Sequence, residues 1–142
     1  METLWAGSRQ SNLRRMKQNH EYNLSVSDVA HHYDLKARTV RDHLRDGNLH
    51  GVRINGWWRC SWPDVFAAEK GPMPRGERAE LYKAQLLTKK MLAAKWGVSE
   101  RTVERWIETG LPTRNVFGSV RIAPADVNEW MQRSFGVASN VA

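Results

Sequence analysis

The side chains best equipped to do chemistry in this 142-residue chain are arginines. They fall in two groups: Arg38, Arg41 and Arg45 with Asp42, then Arg101 and Arg105 with Glu104 and Glu108. A guanidinium is a planar, permanently charged fork, suited to gripping anions and base edges rather than to moving protons. Nothing else in the chain argues for catalysis. His20, His31, His32, His43 and His50 are scattered, and with Cys60 as the single cysteine they lack the paired Cys/His spacing of a zinc site. No Ser/His/Asp order, phosphate loop or carboxylate pair stands in a usable context. The expectation is therefore a recognition protein: not an enzyme, with no cofactor and no metal.

For the arginines to act together, helices must present them. Val40 and Leu44, four residues apart, set the buried direction of the first helix. At about 100° per residue, Arg38, Asp42 and Arg45 then point to the opposite side, with Arg41 on the flank. In the second helix Val103 and Ile107 face inward, Arg101, Arg105 and Glu108 face out, and Glu104 flanks. Such a helix could seat in a DNA major groove, where an arginine fork binds guanine O6 and N7, worth roughly 1–3 kcal/mol of discrimination. The same pattern also describes an ordinary solvated helix face. Glu104 and Glu108 have three readings: accepting from cytosine N4, pairing with Arg101 or Arg105, or weakening the second reader.

The two groups recur because the chain repeats itself. Leu24-Ser25-Val26-Ser27-Asp28-Val29-Ala30 sets over Leu87-Thr88-Lys89-Lys90-Met91-Leu92-Ala93. Leu35 to Val40 sets over Val98 to Val103, and Asp46-Gly47 over Thr109-Gly110. After a one-residue gap the register resumes with Asn55-Gly56 over Phe117-Gly118, Arg59 over Arg121 and Asp64-Val65 over Asp126-Val127. The chain thus reads as a flexible basic arm (1–21), a first domain (22–70), a linker stiffened by Pro72 and Pro74 (71–79), a second domain (80–133) and a mobile tail (134–142).

Each copy predicts the same elements. Ser25 and Thr88 are N-cap residues, and Asp28 completes a capping-box spacing. The first helix stops near Asp34 or at Gly97, and a second begins at once, capped by Ser99 in copy two and opened by Lys36 in copy one. It ends at Gly47 or Gly110. A hairpin follows: Gly51 to Ile54, the turn Asn55-Gly56, then Trp57 to Cys60. In copy two it runs Asn115-Val116-Phe117, turn Gly118-Ser119, then Val120 to Ile122. A third helix opens at Pro63 or Pro124. From Glu77 to Gln85 a helical pattern leads into copy two.

Helix, tight turn, helix, hairpin, helix is the order of a winged helix-turn-helix. The stretches Leu87 to Trp106, centred on Gly-Val-Ser-Glu-Arg-Thr-Val, and Gly47 to Val65, with a wing ending Trp58-Arg59, resemble the MerR-like excisionase and AlpA-type regulator family. Copy one departs from that pattern at Asp34, where Gly is usual, and at Lys36, where Ser or Thr caps. The resemblance implies a mainly α fold with short β-hairpin wings, in two tandem winged helix-turn-helix domains. It implies sequence-specific double-stranded DNA binding, as a transcriptional regulator or excisionase of a phage or mobile element acting in the bacterial cytoplasm. The small terminase subunit of viral DNA packaging is similar in pattern and is the alternative. A third reading makes one copy a DNA reader and the other a protein-interaction module. Beside double-stranded DNA, the partners expected of the chain are a second copy of itself or another DNA-bound protein.

The wings offer Arg53, Asn55 and Arg59 in copy one and Arg114, Asn115, Ser119 and Arg121 in copy two, residue types that reach phosphate or the minor groove. Bracing each wing against its first helix is the competing role for Arg59 and Arg121. Arg9, Arg14, Arg15 and Lys17 form an N-terminal arm that could track phosphates. Seven tryptophans suit domains small enough that each large aromatic matters to the core. Trp57 and Trp58 are adjacent in a strand, so one of them must be exposed. Cys60 aligns with Ile122 and reads as a small buried hydrophobe. Charge is uneven: seven basic against six acidic residues in 22–70, and eleven against seven in 71–142. No apolar run approaches the roughly 18 residues of a membrane span.

Overall fold

The computed structural model describes residues 20–141; the arm residues Arg9, Arg14, Arg15 and Lys17 lie outside them. The chain is mainly helical, with two small antiparallel hairpins. Helix α1 (Val26–Tyr33) starts where the Ser25 hydroxyl accepts from the Asp28 N–H while the Asp28 carboxylate accepts from the Ser25 N–H. It stops at Asp34, which takes the left-handed conformation (φ 54°) that short acidic side chains tolerate better than most. Helix α2 (Ala37–Asp46) begins at Lys36 with no side-chain cap and ends at Gly47. Strands β1 (Val52–Ile54) and β2 (Trp57–Arg59) pair with Ile54 opposite Trp57. Asn55 and Gly56, at φ 51° and 82°, form their turn. Both values are positive, as a two-residue turn matching strand twist requires. Helix α3 (Trp62–Ala68) carries a capping box that the sequence reading missed, built by Ser61 and Asp64.

Between the copies only one helical turn forms, α4 (Arg78–Leu81), shorter than the pattern over Glu77–Gln85 predicts. Leu81 faces solvent while Tyr82 and Leu86 are buried. Copy two then repeats the order: α5 (Lys89–Trp96) capped by Thr88, α6 (Glu100–Glu108) capped by Ser99, β3 (Arg114–Val116), β4 (Ser119–Arg121) and α7 (Pro124–Phe135). Its hairpin turns at Phe117-Gly118 (φ 53° and 90°) rather than at the expected Gly118-Ser119. This is the register of Asn55-Gly56, so the alignment of the repeats was the better guide. In each copy an isolated bridge ties the hairpin to the residue before the first helix, Leu24 to Cys60 and Leu87 to Ile122.

The copies are not two cores on a tether. The first core holds Val29, Tyr33, Val40, Leu44, Cys60, Val65 and Phe66, but also Tyr82, Leu86, Val116, Ala123 and Ala125. Phe117, at the tip of the β3–β4 hairpin, stacks on His43 with ring centroids 3.8 Å apart and meets Tyr33 edge-on at 5.6 Å. Backbone links add to this: the Leu86 N–H donates to the His32 carbonyl at 2.9 Å, and the Asn115 N–H to the Glu69 carbonyl at 2.8 Å. The second core gathers Leu87, Leu92, Val103, Leu111, Ile122, Val127, Trp130 and Met131, with Trp96 and Trp106 packed against it. Val141 joins it, its N–H donating to Asn128 Oδ1, so the expected mobile tail folds back as far as that residue. Among the described residues no helix is long and apolar enough to cross a membrane.

Candidate nucleic-acid interface

Helix α2 seats itself through Val40 and Leu44, both buried, which leaves Arg38, Arg41 and Arg45 exposed and Asp42 half-buried. Asp42 and Arg45 pair with each other across one turn. A groove of about 390 Å³ runs between this helix and the β1–β2 hairpin. Arg41 and Arg45 line it from α2, Arg53, Trp57, Trp58 and Arg59 from the hairpin, and Ser25, Val26 and Ser27 from the start of α1. No carboxylate is among its lining residues. Of the four guanidinium groups around this concave surface, Arg45 is offset by Asp42, and the charge of Arg41, Arg53 and Arg59 attracts polyanions. The α1 N-terminus forms the rest of this wall, its dipole offset by the Asp28 carboxylate that accepts from the Ser25 N–H.

The hairpin of copy one is braced by its own side chains. Arg53 Nη2 donates to the Gly56 carbonyl at 2.8 Å and the guanidinium lies 5.1 Å over the Trp58 ring. Trp58 is half-buried against the core, while Trp57 is 71% exposed on the groove's rim, so the strand's alternation resolves which of the pair faces solvent. Asn55 sits exposed at the turn, and Arg59 is half-buried. The parts of this groove that the sequence reading missed are Ser25, Val26, Ser27 and Gly56. The sequence gives Ser25 a capping duty, yet an N-cap residue stands at a helix end by construction and is free to line whatever that end faces.

Copy two differs at almost every matched position. Arg101, Glu104, Arg105 and Glu108 are all exposed on one face of α6, opposite buried Val103. Glu104 and Glu108 occupy the places of Arg41 and Arg45. Lys89 Nζ stands 3.6 Å from a Glu104 oxygen. On the hairpin Asn115 replaces Arg53, and its side chain accepts from the Gly118 N–H at 2.7 Å. Ser119 is half-buried and Val120 exposed.

Two residues expected to reach phosphate are engaged elsewhere. Arg114 is 2% exposed, paired through Nε with the fully buried Glu69, donating from Nη1 to the Pro72 carbonyl at 3.2 Å and lying 5.5 Å over the Tyr82 ring. Glu69 also meets His32 Nε2 at 2.9 Å. An uncompensated buried carboxylate would be very costly, and Arg114 supplies the compensation from the other copy. Glu69, a carboxylate in an otherwise apolar helix end, was the available signal that a cation must reach it. Arg121 Nε donates to the Tyr33 carbonyl at 2.7 Å and Nη2 to the Asp34 carbonyl at 3.1 Å. A cation at the negative end of α1 is favourable, so Arg121 does brace a wing against a first helix, but that of the other copy.

Burial shifts three further titratable groups that lie apart from this groove. Burial pushes the Cys60 thiol up to about 12. Burial also raises Tyr33 far above the ordinary tyrosine range, and its hydroxyl donates to the Val65 carbonyl at 2.7 Å. The Asp126 carboxyl is raised by burial, opposed by the hydrogen bond it accepts from the Tyr82 hydroxyl at 2.5 Å. Among the described residues no group of three or more His, Cys, Asp or Glu could hold a metal ion. Compared with models of known protein families, with curated proteins and with solved structures, the chain matches none.

Proposed function

We propose that this protein binds double-stranded DNA in a sequence-specific manner, with its two copies acting as tandem winged helix-turn-helix units of unequal duty. The observation that carries the reading is the copy-one groove, in which Arg41, Arg45, Arg53 and Arg59 converge with no lining carboxylate. In this reading α2 enters the major groove and Arg38 reaches base edges, where a bidentate fork discriminates guanine. Arg41, Arg45 and Arg59 hold the flanking phosphates and set register, with the β1–β2 hairpin as the wing. Copy two contributes rigidity: its hairpin tip is seated on α1 and α2 through Phe117 and Arg121, which holds the reading helix at a fixed angle. Such a protein fits the role of transcriptional regulator or excisionase of a phage or mobile element, in a bacterial cytoplasm.

The test is a selection from random duplexes followed by salt-titrated binding to the winner. A preferred site with affinity falling steeply with salt is expected; equal binding to selected and random DNA would refute the reading.

A further inference from the structure

The outward face of α6 has a pattern that its sister helix lacks. Arg101, Glu104, Arg105 and Glu108 stand at spacings of three, four and seven from the first, which places them within about 100° of arc on one side of the helix. All four are exposed. Read along the axis their charges alternate: plus, minus, plus, minus. Turn a second α6 antiparallel about a twofold axis between residues 104 and 105, and every charge meets its opposite. Arg101 faces Glu108 of the second copy, and Glu104 faces Arg105, each pair occurring twice by symmetry. This is the self-complementarity that a twofold interface requires.

The matched positions of α2 fail the same construction. There Arg38 would face Arg45, and the face as a whole carries three arginines against Asp42. The two helices share their buried stripe, so the difference is confined to what each presents outward. A reader of phosphate gains from net positive charge; a face that meets its own copy gains from zero net charge in alternating order.

We propose that α6 is a homodimer contact, through which two chains associate antiparallel by the ladder Arg101–Glu108 and Glu104–Arg105. The occupant of this face is a second copy of the chain. Association is weak in solution, because exposed ion pairs contribute little each and are screened by salt. It strengthens when both chains are held on one duplex, where effective concentration is high. Lys89, 3.6 Å from Glu104, sits beside the ladder and restrains that carboxylate. The dimer would carry two copy-one grooves related by a twofold axis, so its preferred DNA would be an inverted repeat.

The contact is tested without DNA, and so independently of the function proposed above, by sedimentation equilibrium of the full chain from micromolar to millimolar concentration at low salt. The wild-type chain is expected to self-associate reversibly and to dissociate at molar salt. Arg101→Glu alone places Glu opposite Glu108 twice and is expected to weaken association by about tenfold. Adding Glu108→Arg to that variant restores opposite charges in the antiparallel register and should return association to within about threefold of wild type. These positions are solvent-exposed, so circular dichroism should show the variants folded. A wild-type chain that stays monomeric at low salt overturns the proposal. So does a double reversal that associates no better than the single one, which would mean a different face or register. Loss of DNA affinity in the double variant, with no self-association in the wild type, would instead make α6 a second reader.

Discussion

The two hairpins of this chain have the same register, the same turn geometry and opposite surroundings. At the tip of the first, Ile54 and Trp57 are exposed beside a groove of arginines. At the tip of the second, Val116 is fully buried and Phe117 is wedged against His43 and Tyr33 of the preceding copy. The second helices diverge in the same sense: Arg41 and Arg45 in one, Glu104 and Glu108 in the other. A duplicated fold keeps the residues that build it, namely caps, turn residues and the inward stripe. The outward residues are free to change, and here they seat the second hairpin on the first copy.

That contrast can be broken most severely at the buried ion cluster that joins the copies. Arg114→Ala strands Glu69 in the core, and the loss expected is about 3–5 kcal/mol by chemical denaturation. Unfolding should remain a single transition, because the first core takes residues from both copies. Two separate transitions in the wild-type chain would show the copies to be independent. At matched hairpin positions, Val116→Ala should cost about 2 kcal/mol, whereas Ile54→Ala, on the exposed wing, should stay within about 0.5 kcal/mol. Equal costs would mean that the wings are equivalent after all. The smallest effect concerns pH. Burial raises the Asp126 carboxyl in the folded chain above its unfolded value, so the folded state holds that proton more tightly. The group therefore costs stability at neutral pH, a cost that fades as pH falls through the raised folded value. Asp126→Asn should abolish this component of the pH–stability profile; an unchanged profile would remove Asp126 as its source.

Much of the local structure was legible because it depends on near neighbours. Ser25 with Asp28, Thr88, Ser99, Asn55-Gly56 and Gly97 each specify a cap or turn from residues within one turn of themselves. The outward direction of Arg38, Arg45, Arg101 and Arg105 follows from helical period alone. What could not be read was which surface of one copy meets the other. Phe117 occupies a turn position of positive φ, an awkward place for an aromatic, and its reason is visible only once it stacks on His43. The charge count misled for the same cause. Residues 71–142 are the more basic half, yet Arg114 and Arg121 are turned into the junction and Arg78 pairs with Glu129 at 2.6 Å. Net charge counts residues; the field at a groove depends on which of them are free to face it.

The central claim is that one copy reads DNA and the other holds it in place. It is tested most directly by the affinity of the full chain for a short duplex carrying a single half-site, so that association between chains plays no part. Arg41→Ala with Arg45→Ala is expected to lower affinity by about 30-fold or more and to flatten the salt dependence by about two units of slope, as for two lost phosphate contacts. Arg101→Ala with Arg105→Ala should leave affinity within about threefold of wild type. An equal or larger loss from the second pair would contradict the account and make copy two a reader in its own right.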